Sequence, residues 1–222
     1  MKQLVRSVIG AVAAACLIGL SANAGVVLDN TATHNDADTL SYGHWVAEAF
    51  TTDSAGDYTL NFVYAQVGTA SGTIDLVAQL RKASGATVDN SGQGLIGTFT
   101  GTIPSGANAV TTFTPASTYT LSASTTYYLV LGENTSSGGG TYQWDYRTTT
   151  DVDNGTWTIP GTGTYGISLN QGGSWTMHDG SPYLIKIDAT VVPEPHQYAF
   201  VAGLGLLGFV AYRNRNRLAK LA

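Results

Sequence analysis

Alternation of apolar and polar residues, in three separated segments, constrains this chain more than any other feature. Tyr58-Thr59-Leu60-Asn61-Phe62-Val63-Tyr64 places Tyr58, Leu60, Phe62 and Tyr64 on one side of an extended backbone. The stretches from Ile74 to Arg81 and from Tyr183 to Asp188 repeat the pattern. A period of two with one polar face predicts half-buried antiparallel strands. Further strands are expected at 45–52, 95–100, 109–114, 125–131, 141–147, 156–159 and 165–169. Asn154-Gly155 predicts a two-residue type I′ hairpin, because both residues tolerate positive φ. About ten short strands at this spacing, with no crossover helix, predict an all-β domain. The expected architecture is an antiparallel two-sheet sandwich, jelly-roll-like, over residues 25–191.

The flanks read differently. Lys2 and Arg6 precede an apolar run from Val8 to Leu20, and Ala22-Asn23-Ala24 supplies the small-x-small pattern of signal peptidase. Residues 1–24 are therefore expected to be a signal peptide for Sec export, cut after Ala24. The rival is a lipoprotein site at Cys16, but the apolar run continues past that cysteine. Cys16 is the chain's one cysteine, so the mature domain would carry neither thiol nor disulfide. It must rely on burial of its own core, which at this length removes roughly 70% of the unfolded surface from water.

At the other end, 198–212 is uncharged and bounded by Tyr198 and Tyr212, and Arg213, Arg215, Arg217 and Lys220 follow. A transmembrane helix at about 197–212 is expected, short of the usual ~20 residues but helped by snorkelling arginines. The positive-inside bias keeps the basic tail, 213–222, in the cytoplasm. The expected route is export, an inner-membrane-tethered intermediate, then the outer surface or the extracellular matrix.

Pro193-Glu194-Pro195, an apolar run containing Gly203, Gly205 and Gly208, and the terminal arginines occur in that order over 192–222. Together they resemble the PEP-CTERM sorting signal of Gram-negative bacteria. The resemblance implies processing by an exosortase, a membrane-embedded cysteine transpeptidase, near the triplet. It also implies association with extracellular polysaccharide and biofilm. The segments from Trp45 to Thr52, from Leu121 to Leu131 and from Gly172 to Trp175, followed by Pro182 to Ile185, resemble the choice-of-anchor R type of domain. That resemblance implies a cell-surface or matrix role without defining a ligand.

Charge narrows the partners. Between 25 and 192, four cations stand against fourteen acids, a formal net charge of −10. Such a domain repels nucleic acid, repels strongly anionic polysaccharide unless divalent cations bridge the two, and leaves neutral glycans open.

No catalytic constellation emerges. Gly161-Thr162-Gly163-Thr164-Tyr165-Gly166 matches GxGxxG, but a β-pattern follows where a helix is needed. Asp151-Val152-Asp153-Asn154-Gly155 misses the EF-hand spacing, since glycine falls fifth and position twelve is Thr162. A looser calcium site on Asp151 and Asp153, joined by Asp145 or Asp179, is the one cofactor the pattern allows; the plainer reading is an acidic hairpin tip. His34, His44, His178 and His196 form no ligand pair, and any Ser/His/Asp triad would be an arbitrary choice in a serine-rich chain. Trp45 and Trp144 are expected in the core. Trp157 and Trp175 lie beside turns, where exposed rings would stack on a sugar face. The expected function is that of an exported, non-enzymatic matrix protein. A glycan-binding module is the alternative, and a secreted hydrolase a more distant one.

Overall fold

The computed structural model describes residues 24–135, 139–193 and 202–210. Fifteen strands follow one another: β1 (Ala24–Asp29), β2 (Asp36–Leu40), β3 (Trp45–Thr51), β4 (Tyr58–Ser71), β5 (Leu76–Ser84), β6 (Thr87–Val88), β7 (Leu95–Thr100) and β8 (Ala109–Pro115). Then come β9 (Tyr119–Leu121), β10 (Thr126–Glu133), β11 (Thr141–Tyr146), β12 (Asn154–Gly155), β13 (Tyr165–Ser168), β14 (Thr176–His178) and β15 (Ile185–Val191).

The strands do not separate into two sheets. Hydrogen bonding runs unbroken along β12-β1-β15-β4-β8-β7-β5-β10-β3-β13-β14, with β9 and β11 added at β4, β2 at β11 and β6 at β5. The expected two-sheet, jelly-roll-like sandwich is therefore corrected to a single curved, half-barrel sheet with ends at β12 and β14. The link lies at β7–β8, where Phe99 pairs with Pro115 and Thr100 with Thr114. Tyr119 braces this corner: its hydroxyl donates to the Thr98 carbonyl at 2.8 Å and accepts from the Thr98 N–H at 2.9 Å. Curvature brings both limbs onto one core. Leu60, Val63 and Ala65 of β4 and Ile185 and Ile187 of β15 share a cluster with Phe50 of β3, Leu80 of β5 and Leu129 and Leu131 of β10. Each such aliphatic side chain contributes about 1.5–3 kcal/mol on full burial.

The clearest alternating segment changes face midway. Tyr58 and Leu60 are buried, as the pattern predicts, but Phe62 is exposed while Val63, Ala65 and Val67 are fully buried. A β-bulge is the cause: Leu60 pairs with Ala189 and Phe62 with Asp188, so Asn61 is the extra residue. One inserted residue inverts inside and outside for everything beyond it. The Asn61 amide holds the bulge by donating to Asp188 Oδ1 at 2.6 Å and Thr190 Oγ1 at 2.9 Å.

Asn154-Gly155 also departs from expectation. It is not a hairpin tip but the short strand β12, with Gly155 opposite Leu28 of β1. Glycine is required by contact, since a Cβ there would lie 2.2 Å from the Val27 carbonyl oxygen.

The chain divides into a compact unit, Ala24–Val191, and a second unit holding the two flanks. In the second, the helix expected at about 197–212 is described only over 202–210, with Leu206, Leu207, Phe209 and Val210 exposed. Among the described residues no helix is long and apolar enough to cross a membrane. The expected transmembrane helix, and with it the inner-membrane-tethered route, is corrected accordingly.

Candidate functional site

The tryptophans proposed as sugar platforms occupy different environments. Trp157 is 1% exposed and lies in the core. Its ring stacks on Phe50 at 5.7 Å with 4° between planes and meets Tyr58 edge-on at 5.0 Å. Neither face is open to a sugar, which corrects that assignment. Trp175 is half-buried against a smaller cluster containing Trp45, Ala47 and Val130, and its indole N–H donates to Asn90 Oδ1 at 2.7 Å. Trp45 and Trp144 are buried at 7% and 0% exposure.

Asp153 serves structure where calcium was the alternative. Both Asp153 carboxylate oxygens accept from Arg147 Nη1, at 3.0 and 2.9 Å, and Oδ2 also accepts from the Ala32 N–H. Asp151 is exposed. Among the described residues no group of three or more potential ligands is arranged to hold a metal ion. Asp153→Ala should cost about 1–3 kcal/mol, because it strands a largely buried guanidinium. EDTA should leave the melting temperature of the intact protein unchanged; a calcium-dependent rise would contradict this assignment.

Gly161 to Gly166 forms a turn entering β13 rather than a helix. The Gly163 N–H donates to Asp179 Oδ1 at 2.7 Å, which places Asp179 in that turn. Ala22, Glu194, Pro195, His196, Arg213, Arg215, Arg217 and Lys220 lie outside the described residues. Ala24 opens β1 opposite Thr190, and Pro193 follows β15 by two residues.

The fold assembles a tyrosine-lined groove that no motif announced. β2 supplies Asp38, β11 Tyr146, β13 Tyr165 and Ile167, and the segment before β15 Ser181 and Tyr183, around a volume of about 260 Å³. Tyr165 stacks on its cross-strand partner His178 at 4.9 Å and meets Tyr183 edge-on at 5.4 Å. Tyr146 leans on Tyr183 at 5.7 Å. The Tyr183 hydroxyl donates to Asp38 Oδ2 at 2.9 Å, and its N–H donates to Glu48 Oε2 at 2.9 Å. Beside the groove, His44 Nδ1 lies 2.8 Å from the Thr39 carbonyl, so that nitrogen carries the proton. Its Nε2 then faces Asp38 at 3.6 Å.

These groups are poorly placed for proton transfer at neutral pH. Burial, and next the Asp38 carboxylate, raise the Tyr183 and Tyr165 phenols, so both remain hydrogen-bond donors. Burial pushes the Glu48 carboxyl well above the usual range, while the weaker pull of the Tyr183 N–H opposes it. Ser181 lines the groove with φ 46°, yet among the described residues it bonds to neither His44 nor His178. The arrangement can donate, accept and stack; it holds no activated nucleophile.

No protein-family model matches the chain, and no curated protein matches it. The two family resemblances therefore rest on the residues quoted above.

Proposed function

We propose that this chain is an exported, non-enzymatic β-domain protein of an extracellular polysaccharide matrix, sorted by an exosortase at Pro193-Glu194-Pro195. One observation carries the reading. The compact unit begins at Ala24 and ends at Val191, and its first and last strands pair, Gly25 opposite Ala189. The two processing sites read from the sequence thus bracket the unit, and neither interrupts its core. Cuts after Ala24 and near Pro193 would release the domain with nearly all of its sheet bonding retained. The raised Tyr183 and Tyr165 phenols of the tyrosine-lined groove, which stay hydrogen-bond donors, further support binding over turnover.

The partners that follow are Sec and signal peptidase at export, the exosortase at sorting and extracellular polysaccharide thereafter. The test is co-sedimentation of the purified protein with polysaccharide extracted from the matrix of the producing cells. Saturable retention, unchanged by EDTA, is expected. Failure to sediment at any polymer concentration would remove the polysaccharide role.

A further inference from the structure

We propose that a second cleft, which shares β2's Ala37 with the tyrosine-lined groove, binds an uncharged sugar unit of a polysaccharide through a wall of side-chain amides. The proposal rests on the polysaccharide reading above and assigns it a site. The cleft has a volume of about 460 Å³, within the ~300–1,000 Å³ typical of small-ligand sites. Its polar wall comes from four distant parts of the chain: Asn35 and Asp36, Gln66 of β4, Asn108, and Gln143 and Asp145 of β11.

At its centre is Asp145, a carboxylate only 3% exposed. Its Oδ2 accepts from Gln66 Nε2 at 2.7 Å and its Oδ1 accepts from Asn108 Nδ2. Asn108 Oδ1 in turn accepts from Thr69 Oγ1 at 2.9 Å. These bonds fix both amide planes and settle which end of each is nitrogen, so the rotamers are ordered before any ligand arrives. The network leaves capacity unspent. Among the described residues Gln66 Oε1, the Asn35 Nδ2 amine and both ends of the Gln143 amide have no protein partner, and none of them is a buried orphan.

The backbone is shaped to hold this arrangement. Thr69 sits at φ 54°, a left-handed conformation that a β-branched residue adopts only under constraint. Its N–H is tied to the Gly106 carbonyl at 2.7 Å. Gly68 lets Asn108 approach, since a Cβ there would lie 2.7 Å from Asn108 Cα. The strained Thr69 and the close approach at Gly68 thus both bear on Asn108.

The chemistry selects the ligand class. A primary amide presents a donor and an acceptor side by side, and a vicinal diol does the same. Several such amides on one wall suit a hydroxyl-rich, uncharged ring. The cleft's lining holds Asp36 and Asp145 and no Lys or Arg, so a uronate or sulfate ester would meet repulsion.

The test is titration of the purified full chain with neutral hexasaccharides of glucan, mannan and galactan, with oligogalacturonate as the anionic comparison. We expect saturable binding of a neutral oligosaccharide, weakened roughly tenfold or more in Asn108→Ala and in Gln143→Ala. Asn108→Ala also loosens the Asp145 network, so Gln143→Ala, whose side chain has no hydrogen-bond partner among the described residues, keeps the test independent of folding. Preference for oligogalacturonate would overturn the proposal. So would binding that survives Gln143→Ala but is lost in Trp175→Ala. If the native polysaccharide still co-sediments with Gln143→Ala at wild-type affinity, the cleft assignment falls while the matrix reading stands. If neither polymer nor oligosaccharide binds, both fall.

Discussion

Truncation of Trp157 to alanine is expected to destabilise the domain by about 3–5 kcal/mol. Folded domains are typically stable by about 5–15 kcal/mol, so a large share of the domain's stability should be lost. The expectation follows from position. Trp157 is 1% exposed, parallel to Phe50 and perpendicular to Tyr58, in the main core cluster. Removing the ring leaves a cavity that the curved sheet cannot close without moving β3 and β4. Trp157→Phe should cost much less, for a specific reason. The indole N–H is buried without an acceptor among the described residues, so phenylalanine loses volume but also removes an unpaired donor. Urea midpoints of the two variants check this. Equal and small losses would show that the ring is not the core element described here.

Glu48 gives the second large effect, and it depends on pH. Its carboxyl is fully buried in β3, one oxygen accepts from the Tyr183 N–H, and the other has no partner among the described residues. The unfolded chain releases this proton near the ordinary value of 4.5, whereas the folded chain retains it to a higher pH. Between those two points the folded state binds the extra proton. The stability attached to Glu48 is therefore complete below about 4.5 and is lost as pH rises toward the native value, by about 1.4 kcal/mol per pH unit. Glu48→Gln keeps the shape and removes the titration. The difference in unfolding free energy between variant and wild type should thus shift in favour of the variant between pH 5 and pH 8. Parallel pH profiles for the two proteins would contradict the buried, protonated carboxyl.

Local pattern carried the strands and failed at the points where tertiary contact decides. Alternation located β4, β5 and β15 because half-buried strands must alternate, and Trp45 and Trp144 followed as core positions for the same reason. Alternation does not report which strands share hydrogen bonds. The ladder from Phe99 to Pro115 that joins the limbs into one sheet was therefore invisible in the sequence. Nor does it report a bulge, and Asn61 inverts the face of a segment whose hydropathy reads as uninterrupted. Trp157 was misplaced by its neighbours: Asn154-Gly155 has hairpin chemistry, yet it pairs with β1 and draws the following residues across Phe50.

The sites were less legible than the strands. Asp38, Tyr146, Tyr165 and Tyr183 meet by strand register alone, and Gln66, Asn108, Gln143 and Asp145 have no spacing that a motif could encode. The one available signal was the polar character of Gln143 and Asp145 between the aromatics Tyr142, Trp144 and Tyr146 of one strand. At the C-terminal flank, hydropathy and the basic tail suggested a spanning helix, whereas among the described residues no helix is long and apolar enough to cross a membrane.

We propose that this domain is exported and trimmed at both flanks before it joins a polysaccharide matrix. The most direct measurement is the intact mass of the protein recovered from that matrix. A species beginning at Gly25 and ending near Pro193-Glu194-Pro195 is the predicted result. A species that retains residues 1–24, or that still ends at Ala222, would contradict it.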